Sequence, residues 1–216
     1  MTLSEAIVII RIIILIYWQT RSRMPRNKEF EPEVALEKAM GVFWRKGYFD
    51  TSVDELVQQV GVSRYGLYAT FGNKHSLFLA ALDRYRDTFV SQLLADLETP
   101  KASLEQIQGY FRTLIEISKT ERGKFGCFMC NTATELASQD EQVSEKINNY
   151  LQRLTKAFHK ALTNARSQNE IKSDIDVDDY AKYLTGVSLG LCVYARSRVN
   201  PETIEGYVRV VLATLT

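Results

Sequence analysis

Apolar residues recur three or four positions apart along most of the chain, the periodicity of amphipathic helices. A first helix is predicted to start at Pro32, whose fixed φ suits a first turn, and to end near Gly47. Its apolar stripe comprises Leu36, Ala39, Met40 and Phe43. No stretch alternates apolar and polar residues as a half-buried strand does, so the predicted fold is all-α.

Residues 51–74 predict two short helices joined by a tight turn. The first helix has an apolar face made of Val53, Leu56, Val57 and Val60. Gly61 can adopt the left-handed conformation that ends a helix, and Ser63 is placed to cap the second helix. The second helix directs Leu67 and Phe71 inward. The pattern therefore indicates a compact helical pair.

The two ends of this pair carry polar residues that a core does not require. The first helix can start with a capping box from Thr51 and Asp54, or from Ser52 and Glu55. The outer face of the second helix carries Arg64, Tyr65, Tyr68 and Thr70. This layout is that of a helix-turn-helix, whose second helix enters a DNA major groove. The alternative is an ordinary helical hairpin with core aromatics.

Residues 61–74 contain the pattern G-V-S-R-x-x-L-Y-x-x-F-x-x-K. It resembles the recognition-helix signature of the TetR/AcrR (tetracycline-repressor) family of bacterial transcriptional regulators. The resemblance covers roughly the N-terminal third of the chain and extends upstream through Ala35, Phe43, Gly47, Tyr48, Thr51 and Asp54. It implies a three-helix DNA-binding domain followed by a helical domain that senses a ligand and dimerises. The implied function is a homodimeric repressor that a small apolar or aromatic effector releases from double-stranded operator DNA.

The resemblance also assigns roles to residues of the helix-turn-helix. Phosphate contacts are expected from Thr51, Ser63, Tyr68 and Lys74, and base contacts from Arg64 and Tyr65. Lys74 lies in the first turn of the helix that Asn73 caps, where a cation is unfavourable unless an anion is near. The chain departs from the family at Tyr65 and Gly66, so the operator sequence cannot be transferred from a relative.

Three segments are predicted: an N-terminal extension at residues 1–23, a DNA-binding domain at 24–76, and an effector-binding and dimerisation domain at 77–216. The extension contains an apolar run that is shorter than the roughly 20 residues of a membrane span and is interrupted by Arg11. We expect this extension to be either a helix packed on the body or an artefact of an upstream start codon. Our hypothesis is that translation starts at Met24. No membrane association is expected.

Two further expectations remain, one for the residues before the first helix and one for the helices that follow the helix-turn-helix. Arg26 and Lys28 form a basic arm that either follows the DNA minor groove or is a solvated tail. Helical patterns continue in residues 74–96, 104–119 and 127–137, and further helices are predicted to begin at Asp140, Asp176 and Asn200.

Aromatic and sulfur-containing residues of the second domain are candidates for an effector pocket between helices. They are Tyr110, Phe111, Phe128, Met129 and Phe158, and the alternative is that they form ordinary core. The last two helices are candidates for the dimer interface, through Leu184, Leu191, Tyr194, Val208, Val211 and Leu212. The alternative is that these helices complete the core of the monomer.

Composition adds limits on the chemistry. The net charge is +1, so attraction to DNA has to come from a local patch. Three cysteines, an odd number, favour a reducing cytoplasm. Cys127 and Cys130 form a CxxC pair without the four ligands of structural zinc, so no metal or cofactor is predicted. The pair is either inert core or a thiol- or metal-responsive sensor, and no catalytic motif indicates an enzyme.

Overall fold

A computed structural model of the protein describes residues 30–216. The predictions for the extension at residues 1–23, for Met24 as a start and for the arm of Arg26 and Lys28 lie outside the described residues. Residues Glu33–Thr216 form one compact unit. The division between residues 76 and 77 stays a prediction.

The described residues are helical and contain no strand, which confirms the all-α prediction. The N-terminal part consists of α1 (Pro32–Lys46), α2 (Val53–Val60) and α3 (Arg64–Phe71). It is followed by α4 (Lys74–Tyr85), a π-helical turn (Arg86–Val90), α5 (Ser91–Leu94) and α6 (Leu104–Ser118). The rest comprises a 3₁₀ turn (Gly123–Phe125), α7 (Phe128–Glu135), α8 (Glu141–Ser167), α9 (Val177–Arg196) and α10 (Pro201–Ala213).

Side-chain caps start these helices where the sequence predicted them. An Asn, Asp or Ser oxygen accepts a backbone amide hydrogen bond in the first turn of α2, α3, α4, α8, α9 and α10. At α2 the capping residue is Ser52, which accepts from the Glu55 amide at 3.1 Å, whereas the Glu55 carboxylate pairs with Lys46 at 2.7 Å rather than completing a capping box. Gly61 ends α2 at φ 79°, in the left-handed region.

A chain of aromatic rings joins the helix-turn-helix to the larger helical body. Phe43 of α1 meets Phe78 of α4 edge to face at 5.0 Å, and Phe78 meets Phe128 of α7 at 5.6 Å. All three rings are at most 1% exposed. Edge-to-face pairs contribute beyond their buried area, so this chain fixes α1 and α4 against α7.

The body is built on the packing of its two longest helices, α8 and α9, against each other. α6 packs on both of them, α7 on α8, and α10 on α6 and α9. Within α8, Ile147, Leu154 and Phe158 are buried, whereas Leu151 is half-buried. The core therefore lies between α6, α8 and α9, and the helix-turn-helix lies at one end of α4.

Candidate DNA interface, effector cavity and thiol cluster

The outer face of α3 is exposed to solvent, and the opposite side of the helix is packed through one fully buried residue. Leu67 is fully buried, whereas Tyr65 is 79% exposed and Arg64 and Thr70 are also exposed. Ser63 caps the helix by accepting the Gly66 amide hydrogen bond at 3.1 Å. Helix α3 therefore presents a polar and aromatic surface to solvent, as a helix that enters a groove must.

Arg64 is held in place by a carboxylate of the preceding helix. Its Nη2 atom lies 2.7 Å from Oδ1 of Asp54, and the two side chains are 58% and 88% exposed. An ion pair this exposed contributes about 0–1 kcal/mol. The guanidinium is therefore oriented at the surface and can exchange its carboxylate partner for a DNA acceptor at little cost in free energy.

Lys74 lies at the N-terminus of α4 beside an aromatic ring. Its Nζ atom is 4.3 Å from the centre of the Tyr48 ring. Partial burial lowers the pKa of Lys74, although the nearby Glu135 carboxylate opposes this shift. Free amides at a helix N-terminus attract anions, so the ammonium and the first turn of α4 form one electropositive position. Tyr68, half-buried on α3, lies near this position in sequence.

Thr51 does not reach the surface, which corrects its prediction as a phosphate contact. The residue is fully buried, and its hydroxyl donates to the Gly47 carbonyl at 2.6 Å. This bond closes the turn between α1 and α2. The next residue, Ser52, is exposed at the N-terminus of α2. The sequence offered a signal for Ser52, because the second capping box already placed its hydroxyl at the helix start.

A cavity of about 630 Å³ opens between α1, the π-helical turn, α6, α9 and α10. Its aromatic lining comprises Trp44, Tyr85, Phe89, Tyr110 and Tyr150, with aliphatic contributions from Val90, Leu93, Leu114, Ile117, Leu191 and Ile204. Burial raises the pKa of Tyr85, Tyr110 and Tyr150, so these phenols stay neutral. The cavity suits a mainly apolar molecule.

Of the five residues predicted for the pocket, only Tyr110 lines this cavity. Phe111, Phe128, Met129 and Phe158 are at most 2% exposed and belong to the core. Phe111 and Phe158, for example, stack at 5.8 Å, because the inward faces of α6 and α8 meet each other. Trp44 and Tyr85 were missed because they come from helices assigned to other roles. Tyr150 was missed although it shares α8 with the candidate Phe158.

Two residues connect the cavity to its surroundings. Trp44 of α1 donates from Nε1 to the Gly126 carbonyl at 2.9 Å, a bond between the first helix and the turn before α7. Arg122 places its guanidinium 4.6 Å from the Phe89 ring and 5.8 Å from the Trp44 ring. The neighbouring Glu121 pairs with Lys124 instead, and no acidic side chain of the described residues pairs with Arg122. The mouth of the cavity is therefore cationic.

Three thiols lie together, and two of them, those of Cys127 and Cys192, line the cavity. The Sγ atoms of Cys127, Cys130 and Cys192 are within 4.8 Å of one another, and all three residues are free cysteines. Hydrogen bonds from the Cys130 and Cys192 thiols lower the pKa of Cys127, against the effect of burial. Donation to Cys127 raises the pKa of Cys130. Cys192 was missed as a partner because it lies on α9, more than sixty residues along the chain.

The predicted dimer residues divide between core and surface. Leu184, Leu191, Val208 and Val211 are at most 3% exposed and complete the core of the chain itself, which corrects their assignment. Leu212 is half-buried and Tyr194 is 39% exposed. The exposed apolar residues of α9 and α10 are Tyr183, Val193, Tyr194, Tyr207 and Val210, which we call the α9–α10 face. Tyr194 and Tyr207 join its two helices at a ring distance of 5.8 Å.

None of the helices within residues 30–216 combines the length and hydropathy needed to cross a membrane.

Comparison with known proteins agrees with this architecture. The family model described as bacterial regulatory proteins, tetR family, matches residues 35–81. The model described as the tetracyclin repressor-like C-terminal domain matches residues 103–211. Together the matches span the helix-turn-helix and most of the helical body.

Two curated relatives are similar over most of their length. The chain is 30% identical to the uncharacterised HTH-type transcriptional regulator YezE of Bacillus subtilis (strain 168), over 89% of this chain and 100% of that protein. It is 31% identical to the HTH-type transcriptional repressor ComR of Escherichia coli (strain K12), over 83% of this chain and 86% of that protein. These relatives are transcription regulators.

Among solved structures, a cysteine-substituted variant of the TetR family transcriptional regulator CifR, complexed with 26 bp double-strand operator DNA, has a TM-score of 0.78. It covers 88% of this chain and 100% of its own, at 24% identity. Reduced NemR of E. coli has a TM-score of 0.75 at 17% identity, over 85% of this chain and 96% of its own. At these identities the likeness establishes the fold.

Proposed function

The chain belongs to the TetR family of transcriptional regulators, and from this premise we propose that it is a homodimeric repressor that a small molecule releases from operator DNA. The observation that carries the proposal is the outer face of α3, where Arg64 and Tyr65 are exposed above the buried Leu67. These two residues read base edges in the major groove. Ser52, Ser63, Tyr68 and Lys74 contact phosphates and fix the register of the helix.

Dimerisation is part of this proposal because one helix-turn-helix reads only a half-site. Two recognition helices have to lie about 34–36 Å apart to enter successive major grooves. The α9–α10 face supports a twofold interface, since its exposed tyrosines and valines form an apolar surface shared by two adjacent helices. Gly186 and Gly190 lie between them on α9 and leave room for a second helix to approach.

The effector site of the proposal is the cavity of about 630 Å³. Ligand pockets of this size are mainly apolar and have few polar groups that orient the ligand. Arg122 at the mouth is such a group, and its guanidinium lacks an acidic partner among the described residues. The effector we propose is therefore an apolar, aromatic-sized molecule that carries one anionic group.

Release follows from the position of Trp44. This residue belongs to α1 of the DNA-binding part, lines the cavity, and is hydrogen-bonded to Gly126. An effector that displaces the indole moves α1 relative to the body, and the spacing of the two recognition helices changes with it. Ligand binding then shifts the population towards a pose that does not match the operator.

The alternative function is a thiol- or metal-responsive sensor that acts through Cys127 and Cys130. Two observations favour it: Cys192 adds a third thiol to the pair, and Cys127 precedes α7 at its N-terminus. A thiolate is stabilised at a helix N-terminus and beside hydrogen-bond donors.

Alanine substitutions on α3 and α4 test the DNA interface. Arg64→Ala should weaken binding to the DNA upstream of its own gene by about 1–3 kcal/mol and leave binding to random DNA nearly unchanged, because base contacts discriminate between sequences. Lys74→Ala should weaken both and reduce the salt dependence by about one phosphate contact. Gel shifts over a salt series measure both effects.

Arg112→Ala, which removes an exposed arginine from α6, is the matched control and should leave DNA binding unchanged. Equal losses on specific and random DNA for Arg64→Ala would contradict its assignment as a base-reading residue.

A further inference from the structure

The three thiols come from two separate elements that the fold brings together. Cys127 is the N-cap residue of α7, Cys130 lies in its first turn, and Cys192 lies on α9. Their Sγ atoms are within 4.8 Å of one another, and no imidazole or carboxylate of the described residues joins the group. The cluster is therefore an all-sulfur set of three donors.

We propose that these three sulfurs form a binding site for a soft metal ion of low coordination number, of which Cu(I) is the physiological example, and that its occupancy weakens DNA binding. The regulatory half of this proposal rests on the repressor function proposed above. The site itself does not, because the donor set exists independently of DNA.

The donor chemistry selects the class of ion. Soft thiolates favour Cu(I), Zn²⁺ and iron–sulfur clusters, whereas Mg²⁺ and Ca²⁺ require oxygen ligands. Structural Zn²⁺ is almost always four-coordinate, and the described residues offer only three donors. An ion that is satisfied by two or three sulfurs fits this set without an outside ligand.

The spacing allows a common metal centre after a small contraction. With metal–sulfur bonds of about 2.3 Å, sulfurs around one ion lie about 4 Å apart. The present limit of 4.8 Å needs an adjustment of less than about 1 Å, which side-chain rotation can supply. Each coordinating thiol releases its proton when the ion binds.

Access and surroundings also fit. Cys127 and Cys192 line the cavity, which gives an ion a path from solvent. The hydroxyl of Tyr150 lies 3.9 Å from Sγ of Cys127 and can orient that ligand from outside the donor set. Cys127 follows Gly126, whose carbonyl accepts the Trp44 hydrogen bond. When the three sulfurs move towards a common ion, Cys127 therefore moves Gly126 and acts on the Trp44–Gly126 hydrogen bond that links α1 to the body.

Anaerobic titration of the reduced full-length protein with Cu(I), in competition with the coloured chelator bathocuproine disulfonate, tests the site. We expect one equivalent of bound Cu(I). Cys130→Ser and Cys192→Ser each remove a ligand. Each should therefore lower the Cu(I) affinity more than the loss of a group that only hydrogen-bonds to a ligand, which costs about 10–100-fold. Tyr150→Phe removes the outer partner and is the comparison variant: it keeps one equivalent and loses no more than about 10–100-fold in affinity.

Three results would overturn the site: no stoichiometric Cu(I), full affinity in Cys192→Ser, or Zn²⁺ that displaces Cu(I) from the wild type. Cys192→Ala, verified by circular dichroism, separates loss of a ligand from loss of the fold, because only ligand loss leaves the thermal transition in place.

Gel shifts with the DNA upstream of its own gene test the regulatory half. One equivalent of Cu(I) should lower the affinity of the wild type about tenfold or more, within the usual range of allosteric coupling, and leave Cys192→Ser unaffected. Stoichiometric Cu(I) with unchanged DNA affinity would overturn this half. If the metal-free protein does not bind the DNA, the repressor proposal fails, whatever the titration shows.

Discussion

At the scale of single residues, Thr51 and Ser52 are adjacent residues with side-chain hydroxyls in opposite environments. Thr51 is fully buried and donates to Gly47, whereas Ser52 is exposed and caps α2. A buried carbonyl that loses its donor costs about 1–3 kcal/mol, while an exposed cap is replaceable by Asp or Asn. Substitutions at the two positions should therefore affect different properties: stability at Thr51 and DNA binding at Ser52.

Thr51→Val should lower the free energy of unfolding by about 1–3 kcal/mol and leave DNA affinity per folded molecule unchanged. Ser52→Asp should keep the cap and the stability but weaken DNA binding, because its carboxylate repels a phosphate. Chemical denaturation and gel shifts on the same preparations measure both quantities. Loss of DNA affinity in Thr51→Val alone would restore Thr51 as the contact.

At the scale of elements, the cavity is a property of how α1, α6 and α9 meet around the π-helical turn. That turn places Phe89 and Val90 in the lining. π-helical turns are frequent at functional sites, since the extra residue re-aims neighbouring side chains. Trp44 and Arg122 then give the cavity one link to α1 and one cationic group at its mouth.

Two dyes that differ by one sulfonate test the cavity: anionic 1-anilinonaphthalene-8-sulfonate and uncharged N-phenyl-1-naphthylamine. Ala195→Trp fills the lining and should weaken both by tenfold or more, because their apolar contacts are lost. Arg122→Gln should weaken only the anionic dye, by up to about fivefold. Fluorescence titration measures both affinities.

Ala95→Trp places the same indole at an exposed position and should leave both dyes unaffected. If Arg122→Gln weakened the two dyes equally, the preference for an anionic effector would be refuted.

At the scale of the whole molecule, the chain buries one face of α9 and α10 and leaves the other apolar. Leu184, Leu191, Val208 and Val211 complete its own core. Val210 is 64% exposed and Val193 is 54% exposed on the opposite side. A charge on the buried face would unfold the chain, whereas a charge on the exposed face changes only association.

Val210→Asp should give a folded monomer whose DNA affinity falls about 100-fold or more, since the two half-sites are then bound independently. Circular dichroism tests the fold, sedimentation tests the oligomeric state, and gel shifts measure the DNA affinity. Val34→Asp, at a 54% exposed valine of α1, is the control and should stay dimeric. A monomeric Val210→Asp with full affinity for a palindromic operator would exclude the dimer mechanism.

The sequence by itself determined the local structure of this protein. Ser63, Asn73, Asp140 and Asp176 cap helices as predicted, and Gly61 ends α2, because caps and left-handed turns depend on a few neighbouring residues. The all-α class and the helix-turn-helix follow from the same short-range patterns and from a motif of fixed spacing.

Only the tertiary structure decided which apolar residues face a neighbour, a cavity or solvent. Periodicity gives a helix an apolar face, but it does not say that Phe111 meets Phe158 while Tyr110 borders a void, or that Val211 is core and Val210 is surface. Cys192 joins Cys127 and Cys130 for the same reason. These contacts join residues distant in sequence, and they are set by how whole helices pack rather than by any local pattern.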